Sequence, residues 1–163
     1  MKVAHHFGTE RAFRRATAAD VETLSGLAQR AKAGWGYPAA WLEEWRPLLT
    51  LSPGDLEALD VVLAEGESGI VGFYALVHAM PVSTLEHLWV EPSVQRRGWG
   101  RRLLDHALAT ARAGGARALR VEADPNAVPF YLGAGARVIG ERLTRVAETP
   151  RRLPLLEISW DAP

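Results

Sequence analysis

Residues 85–123 constrain the fold more than any other stretch of the chain. Leu85–Val90 is an apolar run, and residues 91–97 form a polar loop. From Gly98 to Ala113 the residues Leu103, Leu104, Ala107, Leu108 and Ala111 recur at helical spacing, and Gly114-Gly115 stops them. Leu119, Val121 and Ala123 then alternate as in a strand. A strand, a helix and a second strand in one sheet form a right-handed crossover between parallel neighbours. Just upstream, the apolar runs Asp60–Ala64 and Ile70–His78 flank Glu65-Gly66-Glu67-Ser68-Gly69, a hairpin signature. Parallel and antiparallel pairs must therefore share a mixed sheet.

The loop inside that crossover has its own chemistry. It ends Gln95-Arg96-Arg97-Gly98-Trp99-Gly100 at the start of the helix. A helix start carries unpaired N–H groups and partial positive charge, which together attract anions. Gly98 and Gly100 let an anion approach the main chain, and Arg96, Arg97, Arg101 and Arg102 add positive charge. A pyrophosphate suits such a loop. Neither the lysine of a P-loop nor the third glycine of a dinucleotide fingerprint is present.

Around this centre, residues 1–10 read as a flexible tail and residues 11–163 as a single domain. A strand is expected at Ala12–Ala16 and a helix from Thr17 to about Ala33, broken by Gly34-Trp35-Gly36-Tyr37-Pro38. A second helix runs from Pro38 to Leu48, residues 51–55 form a loop, and Leu56–Leu59 make a helical turn. A short helix at Ala127–Leu132 and strands at Arg137–Leu143 and Leu155–Trp160 complete the chain. The fold class is mixed α/β, with a central mixed sheet flanked by helices.

Composition removes several function classes. With 19 basic and 19 acidic residues the net charge is zero, so no global field favours nucleic acid or an acidic membrane. No cysteine is present, which excludes disulfides, thiolate nucleophiles and cysteine-bound zinc. The five histidines show no ligand spacing, so no metal is expected. With neither a secretory h-region nor a membrane-spanning run, a cytoplasmic location is expected.

Two sequence blocks carry a resemblance. Gln95-Arg96-Arg97-Gly98-Trp99-Gly100 matches Gln/Arg-x-x-Gly-x-Gly/Ala preceded by Val-x-Pro, and residues 123–136 resemble a block in which an Asn precedes Phe-Tyr-x-x-x-Gly-Phe. Phe130, Tyr131 and Gly135 stand at that spacing with Asn126 four residues before Phe130, whereas Pro129 and Ala136 depart from the usual residues. Together the blocks resemble the GNAT superfamily of N-acetyltransferases. The resemblance implies acetyl-CoA as co-substrate. Its arm would lie along the backbone of Leu88, Trp89 and Val90. Its pyrophosphate would meet Gln95, Arg96, Arg97, Gly98, Trp99, Gly100 and Arg101, and Asn126 and Phe130 would complete the cofactor site.

By the same resemblance Tyr131 is the candidate general acid, with a core aromatic as the other reading. Asn126 either bonds the cofactor arm or turns the chain. Glu86 is the candidate base, acting through water, and alternation places it on the face of Leu88 and Val90 with His87 opposite. Relatives carry that glutamate two residues earlier, where Thr84 stands here. Trp35, Tyr37, Trp41 and Trp45, with Glu43 and Glu44, either bind a cationic amine or, through Trp41, Trp45 and Leu48, form a core face. The implied function is transfer of acetyl from acetyl-CoA directly to a primary amine of a small molecule or protein. A non-catalytic acyl-CoA-binding sensor is the alternative. Expected partners are acetyl-CoA and an amine acceptor, with homodimerisation left open.

Overall fold

The computed structural model describes residues 12–160, and the expected tail at residues 1–10 lies outside them. The strands are β1 (Phe13–Arg15), β2 (Asp60–Gly66), β3 (Gly69–Val77), β4 (Val82–Val90), β5 (Ala118–Glu122), β6 (Arg137–Val146) and β7 (Thr149–Ser159). The helices are α1 (Val21–Ala33), α2 (Ala39–Trp45), α3 (Pro53–Ala58), α4 (Trp99–Ala113) and α5 (Val128–Gly133). All seven strands form one sheet in the order β1-β2-β3-β4-β5-β7-β6. Only β4 and β5 run parallel, joined by α4 as the crossover requires.

Residues of β2 and β3 are apolar in continuous runs because both faces of the sheet are covered. Val61, Leu63, Phe73 and Ala75 pack with Leu24, Leu27 and Ala28 of α1. Their neighbours Val62, Ala64, Tyr74 and Leu76 pack on the other face with Leu103, Leu104 and Ala107 of α4. The two helices thus clamp the middle of the sheet from opposite sides.

The second helix, α3, β6 and β7 differ from the sequence reading for local reasons, and β4 starts at Val82, ahead of the expected Leu85. The second helix stops at Trp45 and tightens into a 3₁₀ turn over Arg46–Leu49, because Pro47 has no N–H to continue the α-ladder. Helix α3 starts at Pro53, ahead of the expected turn, because Ser52 and Asp55 cap it reciprocally. Ser52 Oγ accepts from the Asp55 N–H at 3.3 Å, and the Asp55 carboxylate accepts from the Ser52 N–H at 2.7 Å. Strands β6 and β7 extend into a long hairpin whose turn places Ala147 and Glu148 at φ of 45° and 64°. Such a turn is usually written with Asn or Gly, so it left no sequence signal.

Gly72 marks the tightest approach in the centre of the sheet. A Cβ there would lie 2.6 Å from the carbonyl oxygen of Trp89 and 2.7 Å from Leu103 Cδ1. We therefore expect Gly72→Ala to destabilise the protein by about 1–3 kcal/mol, as overpacking generally does. Urea unfolding checks this, and an unchanged midpoint would mean that β3 and β4 can separate freely.

Candidate active site

Strands β4 and β5 are paired over only three residues, Val82–Thr84 against Ala118–Arg120. Beyond Thr84 they part, so the second edge of β4 loses its partner. Within the fork β4 is also bulged. Leu85 pairs with Leu76 and His87 with Ala75, which leaves Glu86 as the extra residue. Strict alternation, which would set Thr84, Glu86 and Leu88 on one face, fails here. Leu85 and Leu88 instead share the α4-side core. Glu86 is exposed at the fork.

A cavity of about 540 Å³ fills the fork. One wall is Leu85–Val90 and the other is Val121–Asp124 with Asn126, Ala127, Phe130 and Tyr131; Ala31 and Trp35 of the α1 region close it. Of the residues named from sequence, Glu86, Leu88, Trp89, Val90, Gln95, Arg96, Gly98, Gly100, Arg101, Asn126, Phe130 and Tyr131 all line it. Arg97 and Trp99 do not. The Trp99 ring packs against the α4-side core with the Arg102 guanidinium 4.2 Å above it.

At one end of the cavity stands the start of α4. Gly98 precedes it at φ 86°, and no side chain caps it, so its first N–H groups remain available. A Cβ on Gly100 would meet Phe130 at 3.4 Å and Val90 at 3.7 Å. Any larger side chain there would crowd the cavity wall. Arg30 of α1 grips Glu91 with two hydrogen bonds, at 2.9 and 2.7 Å, and so ties that helix to the end of β4.

The family model described as an acetyltransferase (GNAT) domain matches residues 53–146, which span the fork, the loop and the α5 region. The chain belongs to the GNAT acetyltransferase family. No curated protein matches it in sequence. Its fold is similar to that of a GCN5-related N-acetyltransferase from Rhodopseudomonas palustris, at TM-score 0.75 and 19% identity over 91% of this chain and 95% of that one. It is also similar to the PaiA N-acetyltransferase of Thermoplasma acidophilum in complex with coenzyme A, at TM-score 0.69 and 18% identity over 91% and 98%. The ribosomal-protein-S18-alanine N-acetyltransferase of Escherichia coli gives TM-score 0.69 and 18% identity over 90% and 92%.

Within this GNAT fold the groups able to move protons are distinct in environment. Tyr131 is 5% exposed, and its hydroxyl makes no hydrogen bond with a described residue. Burial pushes its pKa well above the ordinary phenol value, so it stays protonated. His87 is held neutral because burial lowers its pKa. Its Nδ1 accepts from Trp89 Nε1 at 3.1 Å, and since indole only donates, the ring proton sits on Nε2. Three carboxylates line the cavity. Glu122 pairs with Arg142 at 2.8 Å and Asp124 with Lys32 at 2.6 Å, whereas Glu86 has no partner among the described residues.

The expected core face of the aromatic segment forms only in part, since Trp45 packs against the α1-side core whereas Leu48 is 72% exposed. Tyr37, Trp41 and Trp45 also pack around the protein's own cations. The Arg151 guanidinium lies 5.1, 5.8 and 4.9 Å from their rings, and Lys32 Nζ lies 4.3 Å from Trp45. Glu43 pairs with Arg46, and Glu44 accepts the Ala147 N–H of the β6–β7 turn. These aromatics and carboxylates are therefore occupied from within.

Asp124 organises this cluster, and sequence reasoning missed it together with Lys32 and the role of Arg151. Its side chain is 9% exposed, against 12% for Lys32 and 10% for Arg151. Burial alone would raise its pKa, but hydrogen bonds from Lys32, the Asn126 backbone and Tyr37 outweigh that and hold it low. Burial, with repulsion from the nearby Arg151, also lowers the pKa of Lys32 despite its ion pair with Asp124. It raises that of Tyr37 to about 12, with help from Asp124.

Asp124→Asn would leave Lys32 and Arg151 buried without their carboxylate, at an expected cost of about 3 kcal/mol near pH 7. Lys32 holds its proton less tightly folded than unfolded, so its contribution to stability rises with pH as the folded protein releases that proton. In the variant this depression deepens, and the deficit should shrink as pH rises toward 10. Urea titrations across that range measure it. A constant deficit would show that Lys32 remains charged without Asp124.

Proposed function

We propose that this GNAT domain transfers acetyl from acetyl-CoA directly to a primary amine of a small molecule or protein, within a ternary complex. The observation that carries the proposal is a single cavity whose walls include both the uncapped start of α4 and the groups Glu86 and Tyr131. Coenzyme A in the Thermoplasma relative supports the choice of cofactor. Without cysteine, no thiol of this chain can form an acyl-enzyme, which favours direct transfer.

Under this reading, each part of the site has a task. The α4 N-terminus, with Arg96 and Arg101 beside it, receives the pyrophosphate. The pantetheine arm lies along the unpaired edge of β4, as an added strand would. An N–H of that edge polarises the acetyl carbonyl and stabilises the tetrahedral oxyanion. Glu86, the unpartnered carboxylate on the wall, removes the amine proton through water. Tyr131 gives its proton to the departing thiolate. Collapse of the intermediate breaks the C–S bond and leaves an amide and coenzyme A.

Acetyl-CoA consumption across a panel of amines, beside direct binding of coenzyme A, tests the proposal. Binding with no transfer to any amine would make the domain an acyl-CoA-binding module. Glu86→Gln should depress turnover most at low pH, where little free amine exists, and the deficit should shrink from pH 8 to 10. A pH-independent deficit would assign Glu86 to holding the acceptor's charge.

Tyr131→Phe keeps the ring in its buried seat and removes the proton donor. We expect kcat to fall by about ten- to a thousandfold with little change in KM for acetyl-CoA. Full activity per folded molecule would identify Tyr131 as a packing residue.

A further inference from the structure

Asn126 lines the cavity, and the bonds around it decide which end of its amide faces a ligand. The Tyr37 hydroxyl has one proton and two lone pairs. Arg151 Nη2 donates to it at 2.9 Å, and Asn126 Nδ2 lies 3.0 Å from it. Both Asp124 oxygens lie 2.8 Å from the same hydroxyl, and an ionised carboxylate only accepts, so the phenolic proton is committed to Asp124. Asn126 Nδ2 also donates to Asp124 Oδ1 at 3.1 Å. Turned over, the amide would set its carbonyl oxygen against that carboxylate and against a phenol with no proton to spare. One orientation is therefore imposed, with the NH₂ spent inward and Oδ1 left free.

We propose that Tyr37 is a positioning residue that, with Asp124, locks the amide of Asn126 so that its Oδ1 is held toward the cavity as the acceptor for the pantetheine N–H, a contact with the cofactor arm that the GNAT resemblance already assigns to Asn126. The two walls of the fork make this pairing natural. A trans amide points its C=O and N–H in opposite directions. If its carbonyl accepts from the free edge of β4, its N–H faces the wall that follows β5, where Asn126 stands. Tyr37 also donates and accepts across segments far apart in the chain, from the α1–α2 connection to β7, so the lock closes only in the folded state. The inference rests on the cavity being the acetyl-CoA site.

A double-mutant cycle read by calorimetric titration with coenzyme A tests it, on wild type, Tyr37→Phe, Asn126→Ala and the double variant. Tyr37→Phe keeps the ring against Trp41 and Trp45 and should raise the Kd for coenzyme A by about three- to tenfold, the effect of one neutral hydrogen bond. In the Asn126→Ala background the same change should have less than a twofold effect, because Tyr37 acts through Asn126. An equal factor in both backgrounds overturns the inference. So does a Tyr37→Phe variant with a lower Tm and unchanged Kd, which would make Tyr37 a brace only. If Tyr37→Phe fails to fold, Asn126→Ala alone, at an exposed position, must still weaken coenzyme A by a similar factor. Absence of coenzyme A binding by the wild type removes the cavity assignment as well, whereas binding without coupling removes this inference alone.

Discussion

The parting of β4 and β5 after Thr84 is the constraint on which the rest of the molecule depends. A sheet interior with an unpaired edge leaves backbone N–H and C=O groups without partners, which is costly unless something fills the gap. Helix α4 leads from the end of β4 to β5, which pairs with β4 over three residues on one edge and with β7 on the other. Beyond those three residues the edge of β4 that faces β5 stays free. Opposite clamping by α1 and α4 keeps the rest of the sheet rigid around it.

Much of this was legible in the sequence because its signals are local. The apolar alternation of Leu119, Val121 and Ala123, the helical face of Leu103 to Ala111, and Gly98 and Gly100 at the helix start all act within a few residues. Twelve of the fourteen residues named for the site line the cavity for the same reason: their positions follow from one strand, one loop and one short helix. Trp99, named with the loop as a whole, turns its ring into the α4-side core, a packing role that the loop pattern does not encode. The Ser52–Asp55 capping box is also local, but Pro53 and Gly54 between its two members carry the stronger signal of a loop.

What was not legible depends on distant partners. Lys32 meets Asp124 across 92 residues, and Arg151 meets Tyr37 across 114. Nothing in the local pattern of an Arg-Arg pair on a strand says that one of them enters an aromatic cluster. The bulge at Glu86 is hidden in the same way. It appears only when β4 is laid against β3, and it overrides the alternation from which facing would otherwise be read.

That bulge also separates the proton-handling groups by environment. Tyr131 lies in the buried wall, where desolvation keeps its proton on, and His87 is turned to Trp89 and kept neutral. Glu86, extruded by the extra residue, stays open to solvent and free of ion pairs among the described residues. The proposed mechanism uses this contrast, since a carboxylate acting as base through water would need such access and a phenol held as the acid for a thiolate would need the opposite. Regular pairing would have given Glu86 a cross-strand partner; the irregularity in β4 is therefore what lets one strand present both a free backbone edge and a solvated carboxylate to the same cavity.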